Sequence, residues 1–258
     1  MGNDADEIRN WWSTSIIDMS PGKISFRGNE IENLIGNISF PQMIWMMVRG
    51  GLPTNEEASL FEAALVAGVD HGPQAPSIAA ARMAATCGVG INNAMATGIN
   101  MLGDIHGGAG EQCAELFYEI SLRIDNGATF EKAIQEALRE WESGNGKIIS
   151  GFGHRFHKPI DPRAPRLLEL VRLAAKDNIV SGKYADIAEA IQSHLSIKKD
   201  IAMNIDGATA VIFCELGFPA PLSRGLFCLS RSVGILSHAW EQIEQGGRNK
   251  GPMPPKYL

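Results

Sequence analysis

Apolar residues recur at spacings of three and four along almost the whole chain, and hardly any segment alternates with a period of two. A sheet with one buried face needs that alternation, so the chain must build its core from helices and its class is all-α. Ile31, Leu34 and Ile35 make one short amphipathic face, and Phe40 to Val48 makes a second, strongly apolar segment with Pro41 near its start. Gly50-Gly51-Leu52-Pro53 stops that helix, after which Thr54 and Glu57 have the spacing of a capping box for a helix towards Val66. The spacing predicts further helices over 78–86, 92–102, 111–122, 130–141 (capped by Thr129), 166–176, 184–195, 208–216 and 222–245. The alanine- and glycine-rich pair 78–86 and 92–102 permits close contact between helices, so it belongs to a central core or a subunit interface. Only Lys23 to Phe26, after the turn Ser20-Pro21-Gly22, reads as a short extended piece, and Gly246 to Leu258 reads as an extended arm.

Composition narrows the function classes. At 258 residues the chain can hold a large domain with a smaller one inserted, and no internal repeat of the sequence suggests a solenoid. A net charge of −6 argues against a nucleic-acid binder, so any anionic ligand must be met by local cations. Cys87, Cys113, Cys214 and Cys228 show neither a CxxC pair nor the density of a disulfide scaffold, and read as buried thiols of a reducing compartment. The acidic N-terminus lacks an apolar signal region and no apolar run could span a bilayer. The expected location is the cytoplasm.

Three loops flanked by glycine or proline each present a histidine: His71, His106 and His154. In Gly151-Phe152-Gly153-His154-Arg155-Phe156-His157-Lys158-Pro159-Ile160-Asp161-Pro162-Arg163, the glycines let the backbone approach a ligand, and Arg155, Lys158 and Arg163 set a positive field suited to an anion. No HExxH is present, and His154 with His157 lacks carboxylates at ligand spacing, so no metal is expected. A P-loop is absent, and Gly103 to Gly110 follows no strand, which disfavours a dinucleotide fold. Asp206 falls at a helix start, where the partial positive charge favours its carboxylate and apolar neighbours oppose it. A carboxylate with histidines on separate loops can take a proton from carbon beside a carbonyl while a hydrogen bond stabilises the enolate, although Asp206 could equally be a plain helix cap.

Taken together, Gly103-Asp104-Ile105-His106-Gly107-Gly108-Ala109-Gly110-Glu111, the Gly151 to Arg163 loop, and Asn204-Ile205-Asp206 resemble the three catalytic signatures of the citrate synthase superfamily, in the family's order. Ser25-Phe26-Arg27-Gly28, Arg49 to Thr54 and Ser230-Arg231-Ser232-Val233-Gly234 extend the resemblance to nearly the whole chain. It implies that His106 hydrogen-bonds the thioester oxygen of acetyl-CoA, that Asp206 moves the methyl proton, and that His154 exchanges a proton with the keto or hydroxyl oxygen of a four-carbon partner polarised by His71. It also implies that Arg163 and Arg231 grip carboxylates. The Gly151-Phe152-Gly153 backbone, Arg155 and Lys158 would face coenzyme A, a substrate thioester rather than a bound cofactor.

The implied architecture is a homodimer with a large domain of residues 1–110 and 217–258, a small domain of residues 111–216, and the site in the cleft. Synthases also place an arginine from the partner subunit in the site, and Arg248 is the candidate here. Full-length citrate synthases carry a longer stretch between Thr54 and His71, and Asp70-His71-Gly72-Pro73 is more similar to the citryl-CoA lyase module of ATP-citrate lyase and to free-standing citryl-CoA lyases. Ile105-His106-Gly107-Gly108, however, keeps the synthase histidine that the ATP-citrate lyase module lacks. The expected reaction is cleavage of citryl-CoA, or of a related 3-hydroxy-3-carboxy acyl-CoA, to acetyl-CoA and oxaloacetate. Two alternatives are a condensing citrate or methylcitrate synthase and a non-catalytic subunit that binds CoA or another protein.

Overall fold

Punctuation by glycine, proline and capping side chains sets the helices at nearly the positions their spacing predicts. The computed structural model describes residues 2–196 and 201–254, so the end of the expected arm, 255–258, lies outside the described residues. In chain order come α1 (Gly2–Trp11), β1 (Ile17–Ser20), β2 (Lys23–Phe26), β3 (Asn29–Glu30), α2 (Ile31–Leu34), α3 (Phe40–Arg49) and α4 (Asn55–Ala67). There follow α5 (Pro76–Thr86), α6 (Ile91–Asn100), α7 (Ala109–Asp125), α8 (Phe130–Asn145), α9 (Arg163–Lys176), α10 (Lys183–Ser196), α11 (Ile205–Glu215) and α12 (Ala220–Glu244). The chain packs as two units, Met1–Ser59 and Leu60–Leu258.

In the first unit an antiparallel sheet of order β1-β2-β3 goes beyond the single extended piece expected. Pro21-Gly22 turns the chain between Ser20 and Lys23, with Gly22 at φ 75°, a conformation open to glycine that closes the β1–β2 hairpin with Ile17 opposite Phe26. Ser39 caps α3 through the Gln42 N–H, and the Gln42 side chain returns the bond to the Ser39 N–H at 2.8 Å. The predicted box is also present: the Glu57 N–H donates to Thr54 Oγ1 at 3.1 Å and the Thr54 N–H to Glu57 Oε2 at 2.8 Å.

In the second unit α11 is the central rod. Ile205, Gly207, Ala208, Ala210, Val211, Ile212, Phe213 and Cys214 are all buried, against α7, α9 and α10. Phe61, Phe213 and Phe218 close its far end, the Phe61 and Phe218 rings stacking with centroids 5.2 Å apart. A second seam joins α5, α6 and α12 through Ile78, Ala81, Ala94, Ile235 and Ala239. The small residues are needed there, because a Cβ on Gly98 would come within 2.8 Å of Ile235 Cγ2 and 2.9 Å of the Ser77 carbonyl oxygen. This places the predicted pair in the core, with α6 still exposed at Asn92, Asn93, Ala96 and Thr97. Two thiols depart from expectation: Cys87, at the end of α5, is exposed and Cys228 is half-buried, whereas Cys113 and Cys214 are buried.

Candidate active site

His154 and Asp206 are carried by segments that are stitched together. Gly151 and Gly153 take φ values of 87° and 77°, and Phe152 pairs antiparallel with Met203. The Gly153 N–H donates to the Ala202 carbonyl at 2.7 Å and the Asn204 N–H to the Gly151 carbonyl at 3.0 Å. Asn204 Nδ2 donates to the Gly153 carbonyl at 2.6 Å, while Asn204 Oδ1 accepts the N–H groups of Asp206 at 2.9 Å and Gly207 at 3.2 Å. Asn204, not Asp206, is therefore the cap of α11, and this cap starts the helix three residues before the predicted Ala208. A Cβ on Gly151 would sit 2.8 Å from Gly207 Cα, and one on Gly207 would run into the Gly151 carbonyl, so both positions need hydrogen.

Backbone donors fix the protonation of two imidazoles. His154 Nδ1 accepts the N–H groups of Phe156 at 3.0 Å and His157 at 2.9 Å, so the neutral ring carries its proton on Nε2. His106 is held the other way round. Its Nε2 accepts the Ser77 N–H at 3.2 Å, with Ser77 Oγ at 3.0 Å, which leaves Nδ1–H as the donor. Burial lowers both pKa values below the ordinary histidine value; Arg231 adds to this at His106, and His157 at His154. Each ring is thus a neutral single-proton donor.

Two arginines and a buried carboxylate frame Asp206. Asp161, with only 1% of its surface exposed, takes a two-pronged bond from Arg163 (Nε to Oδ1 at 3.0 Å, the second nitrogen to Oδ2 at 2.8 Å). It also accepts the Arg163 N–H at 3.1 Å and the Ile205 N–H at 3.1 Å, tying the start of α9 to the start of α11. That tie starts α9 at Arg163 rather than Arg166. Arg231 is buried on α12, its Nε donating to the Gly68 carbonyl at 3.0 Å and its guanidinium 4.9 Å from the Phe227 ring centre. Burial pushes the Asp206 carboxyl above its ordinary value; Arg231 and Arg163 oppose the shift, and Asp161 reinforces it. The charge of Arg231 reaches Asp206, His71 and His106, and that of Arg163 reaches Asp206, His71 and His154, so all four groups share one field.

His71 stands on the α4–α5 loop, which a polar chain holds. An Arg82 guanidinium nitrogen, which can only donate, lies 3.2 Å from His238 Nδ1, leaving His238 Nε2–H to donate to Asp70 Oδ2 at 3.3 Å. The same carboxylate oxygen accepts the Gly72 N–H at 3.0 Å. His71 faces the His154 ring at a centroid distance of 5.0 Å and the His157 ring at 5.5 Å, and its Nε2 lies 3.4 Å from His157 Nε2.

Ligand atoms of His71, His154 and His157 fall within 4.8 Å of one another, so folding supplies the third imidazole that sequence spacing did not show. The tautomers favour an anion over a cation here. His154 presents an N–H rather than a lone pair, and Arg163 and Arg231 lower the pKa of His71 after burial does.

Lys158 joins Gly153, His154 and His157 in lining a 310 Å³ cavity. Phe152 offers only its backbone, since its side chain is buried, and Arg155 is exposed. Arg248 is not brought to the imidazoles within this chain. It lines a groove with Pro73, Arg82 and Gln242, where the Asn249 N–H is pinned to the Thr86 carbonyl at 2.8 Å. Sequence spacing assigns no role of their own to Ser77, Asp161, Asn204 or the Arg82–His238–Asp70 chain, and none to His157 beyond a rejected metal site. Of these, Asn204 carried a legible signal, an Asx residue directly before an apolar helix.

The family description "Citrate synthase, C-terminal domain" matches residues 53–251. The citrate synthase of Saccharolobus solfataricus is 32% identical over 202 residues, 76% of this chain and 51% of that protein. The chain spans about half the length of the curated relatives it matches. Among solved structures, citryl-CoA lyase from Hydrogenobacter thermophilus superposes with a TM-score of 0.82 at 30% identity, covering 95% of this chain and 92% of that one. ATP citrate lyase from Methanothrix soehngenii, in complex with citrate and coenzyme A, shares the fold with a TM-score of 0.79 at 20% identity, covering 98% of this chain and 43% of that one. With catalytic-signature loops converging on one field and a family match over most of its length, the chain belongs to the citrate synthase family.

Proposed function

We propose that the protein is an enzyme that cleaves citryl-CoA, or a related 3-hydroxy-3-carboxy acyl-CoA, reversibly to acetyl-CoA and oxaloacetate. The observation that carries this reading is the pairing of two neutral imidazole donors with a half-buried carboxyl of raised pKa near two arginines. In cleavage the hydroxyl O–H bond breaks and its proton passes to solvent, its electrons form the C=O bond, the C–C bond electrons become the enolate of the thioester, the His106 Nδ1–H stabilises the enolate oxygen, and the Asp206 carboxyl gives its proton to carbon and regains one from solvent. His154 Nε2–H donates to the oxygen that becomes the keto group, with Arg163 and Arg231 facing the substrate carboxylates. Coenzyme A is a substrate thioester held against the Gly151–Gly153 backbone, and no tightly bound cofactor is required.

The superposition on a citryl-CoA lyase, which covers nearly all of both chains, supports cleavage over condensation. The 30% identity to the citrate/2-methylcitrate synthase of Bacillus subtilis supports the second reading, condensation of an acyl-CoA with a 2-keto acid followed by thioester hydrolysis. A hinge between residues 1–110 with 217–258 and residues 111–216 would close the site and exclude water from the enolate. Leu229, Val233, Leu236, Trp240 and Ile243 form an exposed stripe on α12 at alternating spacings of four and three, a seam suited to the same helix of a second copy, hence a homodimer. Among the described residues no helix is long and apolar enough to cross a membrane, and the free cysteines fit the reducing cytoplasm.

The test is to supply citryl-CoA, and separately acetyl-CoA with oxaloacetate, and to follow oxaloacetate and free thiol. Oxaloacetate without thiol from the first mixture is the expected result. Thiol from the second supports the synthase reading, and silence in both refutes the proposal.

A further inference from the structure

His238 lies inside α12, away from the three signature segments, yet the fold gives its two ring nitrogens partners of opposite kind. Arg82, held by Glu241 at 2.5 Å and Gln245 at 2.9 Å, can only donate to Nδ1, and the Asp70 carboxylate can only accept from Nε2. A guanidinium on one side and a carboxylate on the other leave one arrangement, a bare Nδ1 and a protonated Nε2. The Asp70 oxygen that receives this N–H also accepts the Gly72 N–H, and Gly72 turns there at φ 87°. The turn closed by Asp70 thus brackets His71, whose ring meets only other movable rings, those of His154, Phe156 and His157. One face of α12 grips the loop at three points: Arg231 Nε on the Gly68 carbonyl, Gly234 so close that a Cβ would run into the Val69 carbonyl, and His238 on Asp70. The charge of Asp70 also reaches Arg231. A carboxylate released by His238 is free to swing to that guanidinium and take the place of a substrate carboxylate.

We propose, resting on the reaction proposed above, that His238 is a positioning residue for the keto-acid half of the site: fixed by Arg82, it holds the Asp70 carboxylate on the His71 turn and off Arg231. It touches no reacting atom. His71 stays aimed at the oxygen that becomes the keto group, and Arg231 stays open to a substrate carboxylate. The acyl half rests on other ties, Ser77 for His106 and Asn204 for the helix start at Asp206, so it stands apart from this chain. A histidine that merely filled space in α12 would affect both halves alike.

The experiment compares wild-type protein with His238→Leu, which removes both ring contacts, and His238→Gln, whose amide can again donate to Asp70 and accept from Arg82. Where leucine prevents folding, His238→Asn, too short to span both partners, takes its place. Citryl-CoA cleavage and deuterium uptake at the methyl of acetyl-CoA are followed in parallel. The leucine variant should lose about 100-fold in cleavage and keep deuterium uptake within about threefold of wild type, and the glutamine variant should regain about 10-fold or more of the lost cleavage. Unchanged cleavage, an equal fall in both reactions, or no recovery in a folded glutamine variant overturns the positioning role. Silence of the wild-type protein in both reactions refutes the proposed reaction instead, and two measurements without substrate then decide for His238. Ring-nitrogen NMR should find its Nδ1 bare and its Nε2 protonated. The Gly72 amide should exchange with water about 10-fold or more faster in the leucine variant and near the wild-type rate in the glutamine variant. A proton on Nδ1, or equal Gly72 exchange in all three proteins, overturns the inference.

Discussion

The loops that carry His106 and His154 reach the same chemical end by opposite means. His154 is fixed by the N–H groups of its own loop, two and three residues further on, so its tautomer is set by local chain geometry. His106 is fixed by Ser77, 29 residues earlier and on another helix, so its tautomer depends on the docking of α5 against the α6–α7 loop. A donor built locally survives distortion of the packing around it, whereas one built at long range reports on that packing. The first loop should therefore yield only to changes within itself, and the second to changes in α5.

The largest expected effect comes from the group both loops serve. Asp206→Ala should abolish deuterium uptake at the acetyl methyl, a loss of about 10²–10⁴-fold measured by NMR or mass spectrometry. Asp206→Asn should lose the same activity and yet melt at a higher temperature at neutral pH. Folding raises the pKa of this carboxyl above 3.8, so its stability contribution is lost as pH rises through the folded value, and the amide removes that penalty.

Next comes the test that separates the loops. Ser77→Pro removes the N–H that holds His106 at a position where a helix start tolerates proline, and should cost about 100-fold in turnover. Ser77→Ala keeps the N–H and should cost less than about 10-fold; equal losses in the two variants would show that the hydroxyl, not the backbone, sets the tautomer. Asp161→Asn should lower unfolding free energy in denaturant by about 1.5–3 kcal/mol, since it leaves Arg163 without its carboxylate. Least of all, stability should decline as pH falls below about 6.5, because His71, His106 and His154 are all held neutral by the fold and must be protonated on unfolding. Its measure is a urea series across pH 5–7.

Much of this was legible in the sequence for an identifiable reason. The capping box at Thr54 and the glycine stops act over a few residues, so helix order follows from local chemistry. His71, His106, His154 and Asp206 were legible as a set because each sits in a loop or helix start whose residue types are unusual. What stayed hidden depends on distant pairing. Ser77 is an ordinary residue in an alanine-rich helix until His106 is placed on it, and His157 shows no purpose until His71, 86 residues away, meets it. The hairpin at Ile17–Phe26 stayed hidden for another reason: its strands are short and mostly exposed, so burial leaves no alternating mark on them.

The bare seam between Gly151 and Gly207 has a mechanical consequence. With no side chain in the way, and with Phe152 bridged to Met203, the donor at His154 and the carboxyl at Asp206 ride on one rigid block, while His71 and His106 hang from the helices around α5. On the proposed reaction, a movement between that block and α5 would part His154 and Asp206 from His71 and His106 and stop turnover, restoring it without either half having to be rebuilt.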